Sequence, residues 1–315
     1  MIAGYAPPDH RTHRELARAI SNVENALAPY ETIEARLIAG ERERGREPSV
    51  KHARVIGITG PPGAGKSTLV DRLIEGFRAA GETVAVIAID PSSPFTHGAV
   101  LGDRVRMQRH AGDVGVFIRS MASREAGGGL APSTRDAVRL AEAAGFDTIV
   151  VETVGVGQVE LEIVGVADVI VVVTVPALGD GVQTIKAGLT EIADIFVVNM
   201  ADRPGANRTA TDLKSMVHDG LRDIPVLLTI ANDGTGVSEL IEVLRTRDDD
   251  KTHVVRAVRF EVVRRVRDRS VARALRFLSE RAAVDILNRV RIHDLSRADA
   301  INQLIHLVGA TSYAD

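Results

Sequence analysis

The hydrophobic pattern divides the chain into three stretches. In the first stretch, apolar positions recur at helical spacing from Leu16 to Leu27 and resume after Pro29. The middle stretch holds short β-branched runs that alternate with helical segments, and the last stretch returns to helical spacing. We therefore predict an N-terminal helical segment over residues 1–52, a central domain over 53–247 and a C-terminal helical extension over 248–315.

The apolar runs of the middle stretch predict a parallel sheet. Several are apolar on consecutive positions, which is typical of strands that are covered on both faces. Helical segments such as 66–80, closed by Gly81, and 133–144, closed by Gly145, separate the runs. Strands that alternate with helices form right-handed βαβ units, so we predict an α/β fold with a doubly wound, mainly parallel sheet. The predicted strands are residues 55–59, 84–89, 114–118, 148–152, 169–175, 194–199 and 225–230.

The C-terminal stretch has a different character. Its apolar positions suit one face of long, arginine-rich helices, and a shorter helix is predicted over 297–308. From Lys251 onward, thirteen Lys and Arg residues stand against seven Asp and Glu residues. Such an extension could cover the sheet domain with its basic face in solvent, or it could pair with a second copy of the chain. The pattern alone leaves both arrangements open.

Composition and charge narrow the classes of function. The chain has 315 residues, of which 45% are hydrophobic and 26% charged, an ordinary globular composition. It contains no cysteine, which excludes disulfides, thiolate metal sites and a cysteine nucleophile. A net charge of −3 argues against a nucleic-acid-binding surface. The most apolar run covers only residues 169–175, whereas a membrane helix needs about twenty, and the N-terminus lacks an apolar signal core. We expect a cytoplasmic protein that binds neither membrane nor nucleic acid.

A phosphate-binding motif lies between a predicted strand and a predicted helix. The segment GPPGAGKS at residues 60–67 matches G-x-x-x-x-G-K-[ST]. Its glycines let backbone N–H groups converge on phosphate oxygens, and the helix N-terminus adds partial positive charge. Lys66 is expected to reach the β- and γ-phosphates, and the Ser67 hydroxyl to complete a Mg²⁺ shell. The predicted nucleotide-binding residues of this loop are Gly60, Pro61, Pro62, Gly63, Ala64, Gly65, Lys66, Ser67 and Thr68.

Two acidic residues end predicted strands at the sheet edge where ligands bind in this architecture. Asp90 either holds the metal, directly or through water, or caps the Asp-Pro-Ser-Ser turn that it opens. Glu152 stands three positions before Gly155, an arrangement that resembles a Walker B and switch II segment. The Glu152 carboxylate would orient a metal-bound water there, and the Gly155 N–H would sense the γ-phosphate. The alternative for Glu152 is a surface residue at a strand end.

The tetrapeptide NMAD at residues 199–202 resembles the guanine-reading motif N-K-x-D. Asp202 would accept two hydrogen bonds from the guanine N1 and amino groups, which adenine cannot supply. Met200 replaces the usual lysine and could supply its apolar contact with the base. We therefore favour guanine over adenine.

The nine histidines are scattered along the chain, which argues against a histidine metal site.

These motifs, together with the sequence segments between them, resemble the MeaB/ArgK GTPases, a family that includes the human methylmalonic aciduria type A protein. The resemblance spans about residues 10–245. Two residues depart from the family pattern. Met200 stands where the family generally has Lys, and Ile230 stands where it often has Ser. We therefore expect weaker guanine affinity. The shared phrases are ISNVEN (20–25), GITGPPGAGKSTL (57–69), IDPSSP (89–94), LGDRVRM (101–107), ETVGVGQ (152–158), GDGVQTIKAG (179–188) and ADIFVVNMAD (193–202).

The resemblance implies a SIMIBI-class P-loop GTPase with N-terminal helices and a C-terminal dimerisation arm that forms a homodimer. It implies a Mg²⁺-dependent chaperone of an adenosylcobalamin-dependent acyl-CoA mutase, typically methylmalonyl-CoA mutase, that gates cofactor loading and protects the mutase. It also implies an extra switch at residues 178–188 that couples the mutase to hydrolysis. The implied metal ligands are Ser67, Asp90, Asp103 and Glu152; the implied base-binding residues are Asn199, Asp202, Ile230, Ala231 and Asn232; the implied catalytic residues are Lys66, Glu152, Gln183 and Lys186.

Other functions also use a P-loop. A kinase would transfer phosphate to a small molecule or a protein, but the sequence shows no acceptor-binding motif. A nickel-inserting GTPase of related fold would need a Cys/His cluster, which this sequence lacks. A nucleotide-dependent scaffold would bind without significant turnover. We expect slow intrinsic GTP hydrolysis, which rises when a partner places Lys186 or a neighbour near the phosphates.

Overall fold

The consecutive apolar runs form the strands of one seven-stranded sheet in which the pairings are parallel. The strand order is β3-β2-β4-β1-β5-β6-β7, so the chain winds from the central β1 first to one side and then to the other. This order confirms the predicted doubly wound α/β fold. The strands are β1 Arg54–Thr59, β2 Val84–Asp90, β3 Val116–Ala122, β4 Thr148–Thr153, β5 Val169–Thr174, β6 Ile195–Val198 and β7 Val226–Leu228.

Two units make up the chain in this computed structural model, Met1–Arg256 and Ala257–Asp315. The predicted boundaries at residues 52 and 247 stay a prediction. No helix within the described ranges is long and apolar enough to cross a membrane. The helices are α1 His10–Glu24, α2 Tyr30–Glu43, α3 Lys66–Ala79, α4 Pro132–Ala143, α5 Ala206–His218, α6 Val237–Arg247, α7 Arg281–Arg291 and α8 Arg297–Ala310. The structure describes residues 8–43, 52–90, 108–110, 112–122, 132–153, 163–176, 191–218, 224–247, 258, 262–263, 266, 270–271, 273–279, 281–291 and 294–310.

Glycine ends α3 and α4 as the sequence predicts. Gly81 and Gly145 have φ angles of 83° and 87°, in the left-handed region that suits a residue without Cβ. The N–H of Gly81 donates to the carbonyl of Arg78 at 2.9 Å, and that of Gly145 to the carbonyl of Glu142 at 2.8 Å. Both helices therefore end within one residue of the predicted position.

The pattern misplaced β3, which was predicted over residues 114–118 and begins two residues later. Asp113 explains the shift, because its carboxylate accepts the N–H of Gly115 at 2.8 Å and turns the chain there. The strand then continues through polar residues. Arg119 can lie in it because its Nη2 donates to Glu24 Oε2 of α1 at 2.5 Å. The turn closed by the Asp113 side chain and the ion pair between Arg119 and Glu24 therefore determine where β3 begins and how far it extends, rather than the apolar run.

Helices α1 and α2 belong to the same unit as the sheet. The Thr12 hydroxyl of α1 donates to the buried Glu41 of α2 at 3.0 Å. The His13 ring stacks on Phe146 with 5.9 Å between ring centroids, and it meets Phe117 of β3 edge-on at 5.6 Å. Burial lowers the pKa of His13, which favours the neutral ring in this apolar setting. The predicted N-terminal helices are therefore fixed beside β3.

Helix α3 carries the end of the phosphate-binding motif and is anchored by apolar burial. Leu69, Leu73 and Phe77 have no exposed surface. Each such side chain contributes roughly 1.5–3 kcal/mol relative to exposure. A Cβ added at Gly76 would meet the tip of the Ile241 side chain of α6, so a larger residue there would displace that tip. The start of α3 is therefore held rigidly at the carboxyl edge of the sheet.

The second unit exposes apolar side chains. Val262, Val266 and Leu275, which suit one face of the predicted arginine-rich helices, are 56%, 59% and 64% exposed. Phe277 and Ala283 are buried. Exposed apolar side chains at helical spacing are typical of a surface that another molecule covers.

Candidate nucleotide-binding site

The turn between β1 and α3 has the backbone that a phosphate cradle needs. Gly60, Gly63 and Gly65 have φ angles of 136°, 77° and 80°, which other residues rarely adopt. A Cβ at Gly60 would collide with the carbonyl oxygen of Val173 on β5, and one at Gly65 with the Asn199 side chain. At Gly60 and Gly65, glycine is therefore required by the backbone and by the close packing around the turn.

Lys66 lies inside this turn. It is the first residue of α3 and is only 7% exposed. Its Nζ donates to the carbonyl oxygen of Gly60 at 2.8 Å and to that of Pro61 at 3.0 Å. These bonds offset the cost of taking the ammonium out of water. The structure thus places a positive charge beside the helix N-terminus, where anions bind.

Two oxygen-bearing side chains are in contact beside the turn, and a third lies at the same edge of the sheet. The Ser67 hydroxyl donates to Glu152 Oε1 at 2.7 Å. Glu152 lies on β4, which pairs with β2, and Asp90 is the last residue of β2 at the same sheet edge. Ser67, Glu152 and Asp90 are 5%, 3% and 4% exposed. The alternative of a surface Glu at a strand end is therefore wrong for Glu152.

This donor set fits Mg²⁺, which binds hard oxygen ligands and commonly shares them with phosphates and waters. Within the part of the chain that the structure describes, no group of three or more His, Cys, Asp or Glu is placed to hold a metal ion. Two carboxylates and a hydroxyl form a smaller set, which suits an ion that a nucleotide also coordinates. Asp103, Gly155, Gln183 and Lys186 lie outside the described residues.

Asn199 joins the two halves of the site. Its Nδ2 donates to the carbonyl oxygen of Ala64 in the phosphate turn at 2.9 Å. Its Oδ1 accepts the Thr229 hydroxyl at 3.1 Å and the N–H of Ala231 at 3.0 Å. The side chain is 2% exposed, so these bonds form away from water. One buried amide therefore connects the phosphate turn to the loop at residues 230–235.

The loop at residues 230–235 is closed by its own backbone. The N–H of Ile230 donates to the carbonyl of Thr235 at 3.0 Å, and the N–H of Gly234 to the carbonyl of Ile230 at 2.9 Å. The N–H of Thr235 also bonds the Asp233 carboxylate and lowers its pKa. The predicted base-binding residues Ile230, Ala231 and Asn232 therefore lie on a defined turn next to Asn199.

Met200 and Asp202 lie on the turn that follows β6. Met200 has a φ of 57°, a left-handed conformation that costs a non-glycine residue roughly 1–2 kcal/mol. The N–H of Ala201 donates to the carbonyl of Thr229 at 3.0 Å, which holds this turn against the end of β7. The Met200 methyl group lies near Gly65, and Asp202 is exposed. The turn after β6 thus carries an apolar side chain near the phosphate turn and, two residues later, an exposed carboxylate.

Two residues of the site carry no motif signal. Arg72 of α3 donates from Nε to the carbonyl oxygen of Ala231 at 3.0 Å. Thr229 is fully buried and donates to Asn199. A hydroxyl inside an otherwise apolar predicted strand is the only sequence sign of Thr229. Nothing in the sequence marks Arg72, because its partner is remote along the chain.

Comparisons with known proteins relate the chain to a family and to a fold. A sequence profile described as methylmalonyl Co-A mutase-associated GTPase MeaB matches residues 16–289. A Pyrococcus abyssi protein, whose name gives GTPase as a provisional activity, is 55% identical over 225 residues, or 66% of this chain and 68% of that protein. A fused isobutyryl-CoA mutase of Paraburkholderia xenovorans is 37% identical over 307 residues, or 91% of this chain but 22% of that protein. The crystal structure of a LAO/AO transport system kinase shares the fold, with a TM-score of 0.65, 24% identity and 95% of both chains covered.

Proposed function

This chain belongs to the MeaB family of methylmalonyl Co-A mutase-associated GTPases, and from that premise we propose that it binds and hydrolyses GTP as the chaperone of an adenosylcobalamin-dependent acyl-CoA mutase. The observation that carries the nucleotide part is the buried Asn199 amide, which bonds both the phosphate turn and the loop at residues 230–235. A nucleotide that lies between these two segments has its phosphates at one and its base at the other.

Each part of the site has a role in this proposal. Lys66 and the backbone N–H groups of residues 60–67 hold the phosphates and stabilise the charge that develops on them. Asp202 accepts the N1 and amino hydrogens of guanine. Ser67, Asp90, Asp103 and Glu152 would hold Mg²⁺, which supplies charge neutralisation when bound. The described residues would supply positioning and charge, and we expect slow hydrolysis by the chain alone.

A mutase partner is supported by a relative in which a segment similar to this chain is part of a fused isobutyryl-CoA mutase. Most of this chain aligns with a portion of the Paraburkholderia fused isobutyryl-CoA mutase. A covalent link keeps two modules at high effective concentration, which suits modules that act on one another. We propose methylmalonyl-CoA mutase or a related acyl-CoA mutase as the separate partner here, with residues 178–188, including Gln183 and Lys186, as the segment that responds to it.

We also propose that the second unit pairs two copies of the chain. Its exposed apolar side chains support a covered surface, and the largest exposed fractions are at Val263, Leu275 and Ile305, 68%, 64% and 65%. A homodimer would remove these side chains from water.

Phosphate release separates the proposed GTPase from its rivals. We expect inorganic phosphate from GTP in water alone, at a rate that a cobalamin-dependent mutase raises at least about tenfold. A kinase would instead place the phosphate on an added acceptor, and a scaffold would release none.

Capture of purified methylmalonyl-CoA and isobutyryl-CoA mutases, with GDP and with a non-hydrolysable GTP analogue, identifies the partner. Lys186→Ala should lose the stimulation, and full stimulation in that variant would contradict its role.

Glu152→Gln tests the metal ligand set. The amide keeps an acceptor for Ser67 but loses the negative charge, so we expect the Mg²⁺ concentration that half-saturates nucleotide binding to rise at least about tenfold. Titration of Mg²⁺ against fluorescent GDP measures this shift without hydrolysis. Glu41→Gln is a matched control, because Glu41 is also 3% exposed and also accepts a hydroxyl, from Thr12 at 3.0 Å. An unchanged Mg²⁺ requirement in Glu152→Gln would contradict the assignment.

A further inference from the structure

A side chain outside the predicted motifs holds the loop at residues 230–235 from α3. Arg72 Nε donates to the carbonyl oxygen of Ala231 at 3.0 Å, and its Nη2 donates to the carbonyl oxygen of Asn232. Its Nη1 donates to Glu75 Oε2 at 2.9 Å. The three guanidinium nitrogens therefore have separate acceptors. This arrangement needs the fixed fork of arginine, which the point charge of lysine does not reproduce.

Arg72 bonds the peptide group that follows Ala231, while Asn199 bonds the one that precedes it. The N–H of Ala231 donates to Asn199 Oδ1 at 3.0 Å, while the Ala231 carbonyl accepts from Arg72. Because these groups flank one Cα, the peptide planes on both sides of Ala231 are held. Ala231 is 3% exposed, so two side chains from different elements set the position of a buried loop residue.

Further charges hold Arg72 in this orientation. Arg109 Nη1 lies 2.9 Å from Glu75 Oε1, and Arg109 Nε donates to Asp71 Oδ1 of α3 at 2.8 Å. Arg109 belongs to the short 3-10 turn Gln108–His110. One polar stripe on α3 therefore connects this turn to the loop at residues 230–235 through Glu75 and Arg72.

We propose that Arg72 is a positioning residue for purine recognition, because it holds the carbonyls of Ala231 and Asn232 and so sets the loop on which the base of a guanine nucleotide packs. The inference rests on the proposed function, since the loop contacts a base only if a nucleotide binds there. Its effect falls mainly on the part of the affinity that depends on the base, because Arg72 bonds the loop at residues 230–235, whereas Lys66 bonds the carbonyls of Gly60 and Pro61 in the phosphate turn.

A surface ion pair is the simpler explanation for Arg72, but it does not account for the contacts. The Arg72 and Glu75 side chains are 27% and 40% exposed, and pairs this exposed contribute little. The bonds to Ala231 and Asn232 differ from such a surface ion pair, because they join Arg72 of α3 to carbonyl groups that lie 159 and 160 positions further along the chain. Removing the guanidinium would release a loop rather than open the core.

The test compares Arg72→Ala and Arg72→Lys with Arg11→Ala in the full chain. Arg11 is a matched control, because its Nε lies 3.1 Å from Glu15 one turn along α1. Calorimetry gives the affinities for GDP, ADP and inorganic pyrophosphate with Mg²⁺, and thermal unfolding is followed in parallel. We expect both Arg72 variants to bind GDP about tenfold more weakly. The pyrophosphate affinity should stay within about twofold because that ligand has no base, and the ADP affinity should fall because its purine packs on the same loop. Arg11→Ala should change none of the three affinities.

Equal losses of GDP and pyrophosphate affinity would overturn the proposal, because they would indicate a general structural role. Unchanged GDP affinity in both variants, or wild-type affinity in Arg72→Lys, would also overturn it. If Arg72→Ala does not fold, the comparison of GDP with pyrophosphate in Arg72→Lys decides. Failure of the proposed function is visible separately, as a wild-type chain that binds no GDP, and it would remove this proposal with it.

Discussion

Replacing Lys66 with alanine is expected to weaken GTP binding at least about hundredfold and to remove measurable hydrolysis. Truncating one member of a desolvated charge pair costs about 2–5 kcal/mol, and 1.4 kcal/mol is a factor of ten. Lys66 is 7% exposed and lies inside the phosphate turn, so its charge acts with little screening by water. Calorimetric titration with GTP and GDP measures the loss.

The same variant should fold normally, because the free chain gains little from a buried ammonium. Its bonds to the carbonyls of Gly60 and Pro61 offset a desolvation cost that alanine does not carry. We therefore expect a thermal unfolding midpoint close to that of the wild type. Lys214→Ala is the control, since Lys214 is an exposed lysine of α5. Tight GTP binding by Lys66→Ala would refute the assignment of the phosphate turn.

The phosphate turn could be predicted because its chemistry is contiguous. The glycines at residues 60–65 and the lysine after them act through backbone N–H groups and a helix start, which one short segment specifies. The contact of Ser67 with Glu152 spans 85 positions, yet it was also within reach of prediction. Both residues stand at the carboxyl edge of a parallel sheet, so the topology alone brings them together.

Other features depend on partners that no local pattern shows. Arg72 looks like an ordinary helix-surface arginine until the loop at residue 231 is placed beside it. The extent of β3 depends on Arg119, whose partner Glu24 lies 95 positions earlier. In both cases a long polar side chain is fixed by a remote acceptor, and periodicity reports only which positions are apolar. The Met200 backbone conformation is equally invisible, because its φ of 57° follows from the turn around it.

Asn199→Ala is expected to lower both the stability of the fold and the affinity for guanine nucleotides. The change leaves the Ala64 carbonyl, the Ala231 N–H and the Thr229 hydroxyl without their buried partner. Each unsatisfied buried group costs about 1–3 kcal/mol, so we expect a loss of about 3 kcal/mol or more in the free energy of unfolding. Urea denaturation measures it, with Asn207→Ala on the exposed face of α5 as control.

Asn199→Asp separates the binding effect from the stability effect. The carboxylate still accepts from Thr229 and Ala231, but in place of the Nδ2 donor it sets an oxygen against the carbonyl of Ala64, where the present bond is 2.9 Å. We therefore expect the phosphate turn to shift and GDP affinity to fall at least about tenfold, while the loop at residues 230–235 keeps its anchor. GDP affinity equal to that of the wild type in Asn199→Asp would show that the phosphate turn keeps its shape without this bond. The amide would then hold only the base side of the site, and the link between the two halves would not be what binds the nucleotide.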